Sequence, residues 1–570
     1  MARNADEASQ TARVFRAMAT LLKPDRAFFA MAAIYGVGVS LLTLAVPISV
    51  QTLINTVANT NLLGPLVLLA ATLFGLLFVS GLLTALRQHL LEIFGRRFYA
   101  RMTTEIALRV VLSRQPFFHE EGRADLFNRY FDIGTIQKNV PKLLIGGFTI
   151  VLQAVTGFIL VSFYHPFFLA FNLIFVSCVA LIWFIWGRNA LISAIDLSHA
   201  KYAAARWLGN LGALDGFYRS EQRIARALER TDEVTRAYVD TSRRHFRRAF
   251  TQSIAFLMLY AAASAALLAL GGWLVIQNQL SLGQLVAAEL VLSAIFVAVA
   301  QFSSYLDSFY DLFAGVEELG LFLEIPLAPN LPVTTAEPDG HEIAFLGAKA
   351  GLHGHGFEFD LRLPARTRAY VAAADPDVAT VFIRMLQRYI EPSAGLITLG
   401  RVDIGAMDVL RLRLDVLHVQ GLAFPDCTIR AFLALAAPEA RAEAQLEVLR
   451  LVGLEEALQR IPGGFDAPLG PTGFPLSLSE AVALKLAGAL LAKPKVLLLD
   501  EICDLIAPER LAAALASQAC TILYFGHRRD GLGLSSYLAL GPCKQSWVGS
   551  AQALEAAHKT GSEPRVAVPT

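Results

Sequence analysis

The sequence predicts two fold classes in one chain: an all-α transmembrane domain of six helices, then a soluble α/β domain. Three observations carry this reading. The 570 residues are 55% hydrophobic and only 17% charged, with a mean hydropathy of +0.50, too apolar for a wholly soluble chain. The first half holds apolar stretches near the roughly 20 residues that a bilayer requires. The second half has short aliphatic runs instead, the clearest being Val496–Leu499, which ends in Asp500-Glu501. Four continuous aliphatics indicate a strand buried on both faces. Its terminal carboxylates then lie at the carboxyl edge of a parallel sheet, where open α/β sheets bind ligands.

With Asp6 and Glu7 among them, the first residues are not expected to form a signal peptide. Val14, Phe15, Met18, Leu21 and Leu22 recur at helical spacing among Arg13, Arg16 and Lys23, the pattern of an amphipathic helix at a membrane surface. Six apolar segments follow, about Ala27–Thr52, Pro65–Leu86, Leu143–Tyr164, Phe167–Trp186, Ser253–Ile276 and Leu285–Phe302. The connections at residues 51–64, 164–166 and 277–283 carry no Lys or Arg. Those at 87–142 and 188–248 are long, helical in pattern and rich in Arg, including Arg96, Arg97, Arg101, Arg243, Arg244, Arg247 and Arg248. Positive charge stays on the cytoplasmic side, so both termini and both long loops are expected there, in a multi-pass protein of the bacterial inner membrane.

A net charge of +1 gives no argument for a nucleic-acid partner; membrane lipids are the partner the composition implies. The five cysteines show no metal-ligand spacing and no disulfide framework, which suits a reducing compartment. Within the spans, Glu289 is the one carboxylate well inside an apolar segment, and an intramembrane acid is by default a functional candidate. It lies near the outer end of the sixth span, so a role facing the substrate pathway and a role at the interface both remain open. Gln301 and Asn172 are weaker candidates of the same kind.

Pro326, Pro329 and Pro332 mark a linker. The boundaries are a membrane domain at 1–325 with long cytoplasmic helical loops, a linker at 326–340, a soluble domain at 341–552 and a disordered tail at 553–570. In the soluble domain, Leu476-Ser477-Leu478-Ser479-Glu480 opens a helical run that ends in Ala487-Gly488-Ala489-Leu490-Leu491, just before the Val496–Glu501 strand. This resembles the ATP-binding-cassette (ABC) family, in which LSGGQ opens a helix ending in ARALL before the Walker B strand. Both signature glycines are replaced here.

The resemblance extends over nearly the whole chain. Ala369–Pro392 aligns with the family's strand, phosphate loop and helix. A working loop reads G-x-x-x-x-G-K-[ST]: its glycines turn backbone N–H groups onto the phosphates and its lysine neutralises their charge. Here those positions are Ala373, Val378 and Ala379; the magnesium-side hydroxyl survives as Thr380, and Asp375 and Asp377 bring negative charge. Ser393-Ala394-Gly395, Gly400–Ile404, Gln420 at the Q-loop position, Thr428-Ile429-Arg430 and His527 at the switch position follow the family frame. The D-loop aspartate is missing from Ile502–Ala507, and no aromatic in 346–352 stands ready to stack on adenine. Glu121–Arg129 is similar to the first coupling segment of exporters, with a second near Trp207–Phe217.

The resemblance implies an exporter-type half-transporter: six spans fused to a P-loop-type α/β nucleotide-binding domain, pairing with a second half-transporter. It implies Glu501 and His527 as catalytic residues and Thr380, Gln420, Asp500 and Ser477 as ATP-binding residues, with Thr380 and Asp500 holding Mg²⁺ if nucleotide binds. Gln420 and His527 equally suit a cap and a turn. Two functions follow from the altered motifs: an ABC exporter subunit, in a hetero- or homodimer, for hydrophobic or peptide-like cargo with degenerate ATP sites, or a non-hydrolysing membrane scaffold or regulatory pseudo-transporter.

Overall fold

A computed structural model of the chain describes residues 2–54, 63–113, 124–214, 216–327 and 338–548. The tail at 553–570, most of the linker at 326–340, and Glu121–Arg123 of the first coupling segment lie outside the described residues. The chain divides into two compact units, residues 1–328 and 329–570.

The first unit is helical throughout: α1 (Ala2–Leu22), α2 (Arg26–Thr43), α3 (Ala45–Thr52), α4 (Leu63–Val111), α5 (Asp132–Lys142), α6 (Phe148–Ser162), α7 (Pro166–Ile182), α8 (Arg188–Ala213), α9 (Glu221–Ile276), α10 (Leu282–Ala300) and α11 (Phe302–Leu323). Among the described residues, six helical stretches are long and apolar enough to cross a membrane. Several far exceed a bilayer: α4 has 49 residues and α9 has 56, and at 1.5 Å per residue α9 runs about 84 Å. Within the described residues of the two Arg-rich loops, α4 continues from its span as far as Val111, and α8 and α9 occupy 188–213 and 221–248.

Their outward faces are apolar where lipid would meet them; Val67, Phe74, Phe78, Phe163 and Phe184 are all exposed. The core is aromatic, with Phe94, Phe98, Phe168, Phe256, Phe296 and Phe313 fully buried. One-turn π-helices at Leu143–Gly147 and Trp183–Gly187 interrupt the spans near the Arg-rich ends. The buried Arg87 guanidinium donates to Thr149 Oγ1 (2.8 Å) and to the Ile145 carbonyl (3.2 Å), satisfying backbone in the first of these turns. The last span breaks at Gln301, whose carbonyl accepts the N–H and the hydroxyl of Ser304.

Beyond the apolar belt, buried ion pairs tie the helices together. Asp25, fully buried at the α1–α2 junction, takes Arg101 at 2.7 Å and Arg97 at 3.4 Å from α4. Glu318 of α11, also fully buried, takes Arg129 at 3.0 Å and accepts the Ser198 hydroxyl at 2.8 Å. Asp132 accepts the Tyr202 hydroxyl at 2.6 Å. These charges stand at the ends of long solvated helices, where partners are needed to hold buried carboxylates.

The second unit carries an antiparallel sheet of β1 (Ile343–Leu352), β2 (His355–Leu363), β4 (Ala394–Leu399) and β5 (Val402–Asp403), in the order β2-β1-β4-β5. Gly395, at φ +75°, lies so close to the Gly347 backbone that no Cβ fits, which explains glycine in Ser-Ala-Gly. The larger sheet is built from β3 (Arg368–Ala373), β6 (Val416–Val419), β9 (Val496–Leu499), β10 (Thr521–Tyr524), β11 (Ser536–Leu540) and β12 (Gln545–Val548). Its order is β12-β11-β3-β10-β9-β6, parallel from β11 to β6. A short ribbon pairs β7 (Cys427–Thr428) with β8 (Pro468–Leu469).

Central β9 is buried on both faces, as its four aliphatics predict. Val496 and Leu498 join the core under α12 (Pro376–Leu386), where Phe382 stacks on Phe345 and meets Phe359 edge-on. Leu497 and Leu499 join the opposite core with α13 (Ile429–Ala436), α14 (Ala442–Leu451), α15 (Leu478–Leu491) and α16 (Pro508–Ala516). Burying the strand from two sides aligns its carboxyl end, and with it Asp500, at the sheet edge.

Candidate functional site

Because β3, β6, β9 and β10 run parallel, their carboxyl ends share one edge of the sheet. A cavity of about 600 Å³ opens there, lined by Asp375, Thr380, His418, Gln420, Asp500, Glu501 and His527 among others. Five of the residues singled out in the sequence, Thr380, Gln420, Asp500, Glu501 and His527, are thus brought together. Ser477 is not among them: it caps α15 elsewhere in the unit.

The connection from β3 to α12 is short. Helix begins at Pro376, and Asp375 is its N-cap, the carboxylate Oδ1 accepting the Asp377 N–H at 2.9 Å. Proline at the first helical position has the preset φ, and the cap fills one orphan donor. Asp377 therefore lies in the first turn of α12, and not in an open loop as the alignment implies. Val378 is fully buried among Phe345, Phe359 and Phe382, so it serves the core at the position where the family has glycine. Ala379 follows it in the helix, and Thr380 is half-buried at the cavity wall.

Gln420 follows β6, exposed; its carbonyl accepts the Lys485 ammonium at 3.0 Å. Asp500 caps the short turn Glu501–Leu505, Oδ1 accepting the Glu501 N–H at 2.9 Å. Its other oxygen lies 3.9 Å from His418 Nε2, while Glu501 Oε2 lies 3.6 Å from His527 Nε2. The His418 side chain is only 6% exposed, and burial pushes its imidazole down to about 4 against the pull of Asp500. It is neutral at physiological pH. Behind the edge, burial pushes the Cys503 thiol up to about 12, leaving it inert.

Three features of the site escaped sequence reasoning. His418 interrupts an aliphatic strand, Val-Leu-His-Val, two residues before Gln420; a polar residue there was a readable signal. Asp375-Pro376 is a helix-start signature, which the alignment with a phosphate loop obscured. The third is tertiary: the Asp504 carboxylate accepts the Tyr524 hydroxyl and the His527 N–H, and Arg528 donates to the carbonyls of Ile506 (2.6 Å) and Asp504. That network ties the turn after Glu501 to the segment carrying His527.

Ser477 caps α15 in a capping box, its hydroxyl accepting the Glu480 N–H and the Glu480 carboxylate accepting the Ser477 N–H at 2.8 Å. Glu480 is held further by Arg460 at 2.7 Å. Leu478 and Ser479 are exposed beside the cap, Leu478 by 52%. In the membrane unit Glu289 is half-buried; one oxygen accepts the Ser293 hydroxyl at 2.8 Å and the other is enclosed without a hydrogen-bond partner. Gln301 is exposed at the break between α10 and α11, and Asn172 donates to the Phe158 carbonyl and to Ser162 Oγ.

Residues 29–299 match the model of the ABC transporter transmembrane region. Over 560 residues the chain is 24% identical to the mitochondrial potassium channel ATP-binding subunit of Xenopus tropicalis, covering 91% of this chain and 78% of that protein. It is 24% identical over 287 residues to the ATP-dependent lipid A-core flippase of Neisseria gonorrhoeae, covering 49% of this chain and 45% of that protein. Among solved structures, a bacterial Atm1-family ABC exporter with ATP bound superposes with a TM-score of 0.74 at 17% identity, over 94% of this chain and 96% of that one. With six apolar helical stretches followed by an α/β domain, the chain has the fold of an ABC exporter half-transporter, and its residues 29–299 match the transmembrane region of the ABC transporter family.

Proposed function

We propose that this chain is the nucleotide-weak half of a dimeric ABC exporter for hydrophobic or peptide-like cargo, in which a second half-transporter's phosphate loop holds the ATP. One observation carries the reading: the Asp375 carboxylate accepts the Asp377 N–H at the N-terminus of α12. A helix N-terminus binds phosphate because its free N–H groups and dipole favour an anion. Here the chain supplies that anion itself, Asp377 adds a second in the same turn, and Ala379 offers no cation. Two negative charges about 4 Å apart repel by roughly 1–4 kcal/mol in solvated surroundings. Mg-ATP therefore does not fit this loop, although Thr380 and Asp500, the residues that would hold Mg²⁺, line the cavity.

The other composite site would join the partner's phosphate loop to Ser477–Glu480 of this chain. Leu478 and Ser479 replace the glycines that let backbone approach a terminal phosphate, so that site is weakened less severely. The apolar spans and their lack of charge support a hydrophobic cargo. The charge asymmetry of the loops supports both termini on the cytoplasmic face of a bacterial inner membrane; the mitochondrial relative leaves a mitochondrial membrane as the other setting.

The Asp504–His527 link favours a second reading, a scaffold that does not hydrolyse ATP, because it restrains a segment that cassettes move. ATP turnover by the assembled pair separates the two. The exporter reading requires hydrolysis that disappears with a Walker B substitution in the partner; an assembled pair with no ATPase leaves the scaffold.

A further inference from the structure

Beyond the apolar belt of the membrane unit, two helices meet through charge: α8, from the second Arg-rich loop, and α11, which runs on toward the linker. His199 of α8 faces Glu317 and Glu318 of α11. Its Nε2 donates to Glu317 Oε2 at 3.2 Å and lies 3.9 Å from Glu318 Oε1. The Glu318 side chain is fully buried and that of Glu317 is 16% exposed, whereas that of His199 is 46% exposed. The imidazole can therefore exchange protons with solvent while the carboxylates behind it are shielded from water.

The charged groups around this contact fall one cation short. Glu318 takes Arg129, from the short helical turn Ala124–Phe131, at 3.0 Å, and accepts the Ser198 hydroxyl at 2.8 Å. Lys201 of α8 pairs with Asp132 at 3.3 Å, and Tyr202 donates to the same carboxylate. Glu317 also borders a cavity of about 420 Å³ that is lined by Arg13, Arg16, Arg109 and Glu324. Arg109 is held there by Glu105 at 2.6 Å, and among the described residues neither it nor Arg13 nor Arg16 pairs with Glu317. Arg129 and Lys201 thus answer Glu318 and Asp132. Glu317 has His199 alone.

We propose that His199 is a pH-dependent clasp between α8 and α11: protonated, it supplies the missing cation and ties the helices together; neutral, it leaves Glu317 uncompensated beside Glu318 and the contact loosens. The hydrogen bond to Glu317 holds the imidazole above its ordinary range, against burial, which favours the neutral ring. The added stability is fully present below 6.5, the ordinary histidine value, and is lost as pH rises through the higher folded-state value. The same three side chains lie near enough to share a dication. Arg129 beside Glu318 and the hydrogen bond already made to Glu317 favour the proton instead. Because α8 leads to the segment near Trp207–Phe217 and α11 to the linker, the clasp sets how firmly these two extensions of the membrane unit hold together. It does so whether or not ATP is hydrolysed.

The full-length chain in lipid nanodiscs, with chelator present, is labelled with isotopic histidine and titrated by NMR. The His199 signal is the one missing from His199→Gln. Its midpoint is expected above the ordinary histidine value, and it should fall toward that value in Glu317→Gln. Hydrogen exchange over residues 195–203 reads the clasp itself, parent and His199→Gln being compared at the same pH so that intrinsic rates cancel. The parent should exchange at least about threefold more slowly at about pH 6, with the difference gone by about pH 9. Glutamine keeps a hydrogen-bond donor at this half-exposed position, so a merely structural loss would show equally at both pH values. A midpoint at or below the ordinary histidine value, an unchanged midpoint in Glu317→Gln, or an exchange difference independent of pH overturns the proposal. Replacing the chelator with Zn²⁺ completes the test: a contact that forms only when metal is supplied makes the ligand a dication and sinks the proton clasp.

Discussion

The Asp504 carboxylate accepts the backbone N–H of His527 at 2.8 Å, joining the turn after the acidic pair to the segment that follows β10. The same carboxylate takes the Tyr524 hydroxyl, and Arg528 reaches back to Ile506. Asp504→Ala removes a shared acceptor and should cost about 1–3 kcal/mol of local stability. Hydrogen exchange over residues 525–529 should accelerate selectively, with the membrane helices unchanged. Unaltered exchange there would show that the link does not restrain the segment.

Restoring the phosphate loop should carry a penalty that its chemistry alone does not suggest. Val378 is fully buried, so Val378→Gly leaves a cavity and puts glycine inside a helix, costing about 2–4 kcal/mol. Asp375→Ala removes the cap of α12 at about 1 kcal/mol. The combination Val378→Gly, Ala379→Lys, Asp377→Ser should therefore unfold its cassette at a lower temperature than the parent. An equal or higher midpoint would mean that Val378 is not packed as described.

At the signature position the opposite holds. Leu478 and Ser479 are exposed, and replacing both with glycine removes side chains from the helix entrance at little cost to the core. In the assembled pair, Leu478→Gly with Ser479→Gly should raise ATPase activity about tenfold, equivalent to roughly 1.4 kcal/mol. The loop restoration should help less. Turnover that does not respond to the signature change would place the active nucleotide elsewhere.

Orientation is tested with single cysteines in intact cells. A cysteine at Gln279, between α9 and α10, should react with an impermeant thiol reagent from outside, and one at Ser220 should not. Labelling at Ser220 would overturn the six-span arrangement.

Much of this architecture was legible in the chain because the patterns are long. Apolar stretches of about 20 residues and the Arg bias of the loops need no tertiary information, and Val496–Leu499 declares a strand buried from both sides. The site was legible only as a frame. Asp375 reads as loop charge in an alignment, yet Pro376 after it starts a helix, so local capping outweighed the family template. His418 and Asp504 act through partners more than 20 residues away or on another strand, Asp500 and His527, which no local pattern joins. The break at Gln301 has no Pro or Gly beside it to announce it.

The central claim is that this chain's own loop does not hold ATP, and equilibrium binding of Mg-ATP to the purified chain in nanodiscs tests it most directly. No saturable binding is expected at micromolar nucleotide, because Asp375 occupies the helix N-terminus and no cation stands at Ala379. Micromolar affinity that is abolished by Thr380→Ala would contradict the account.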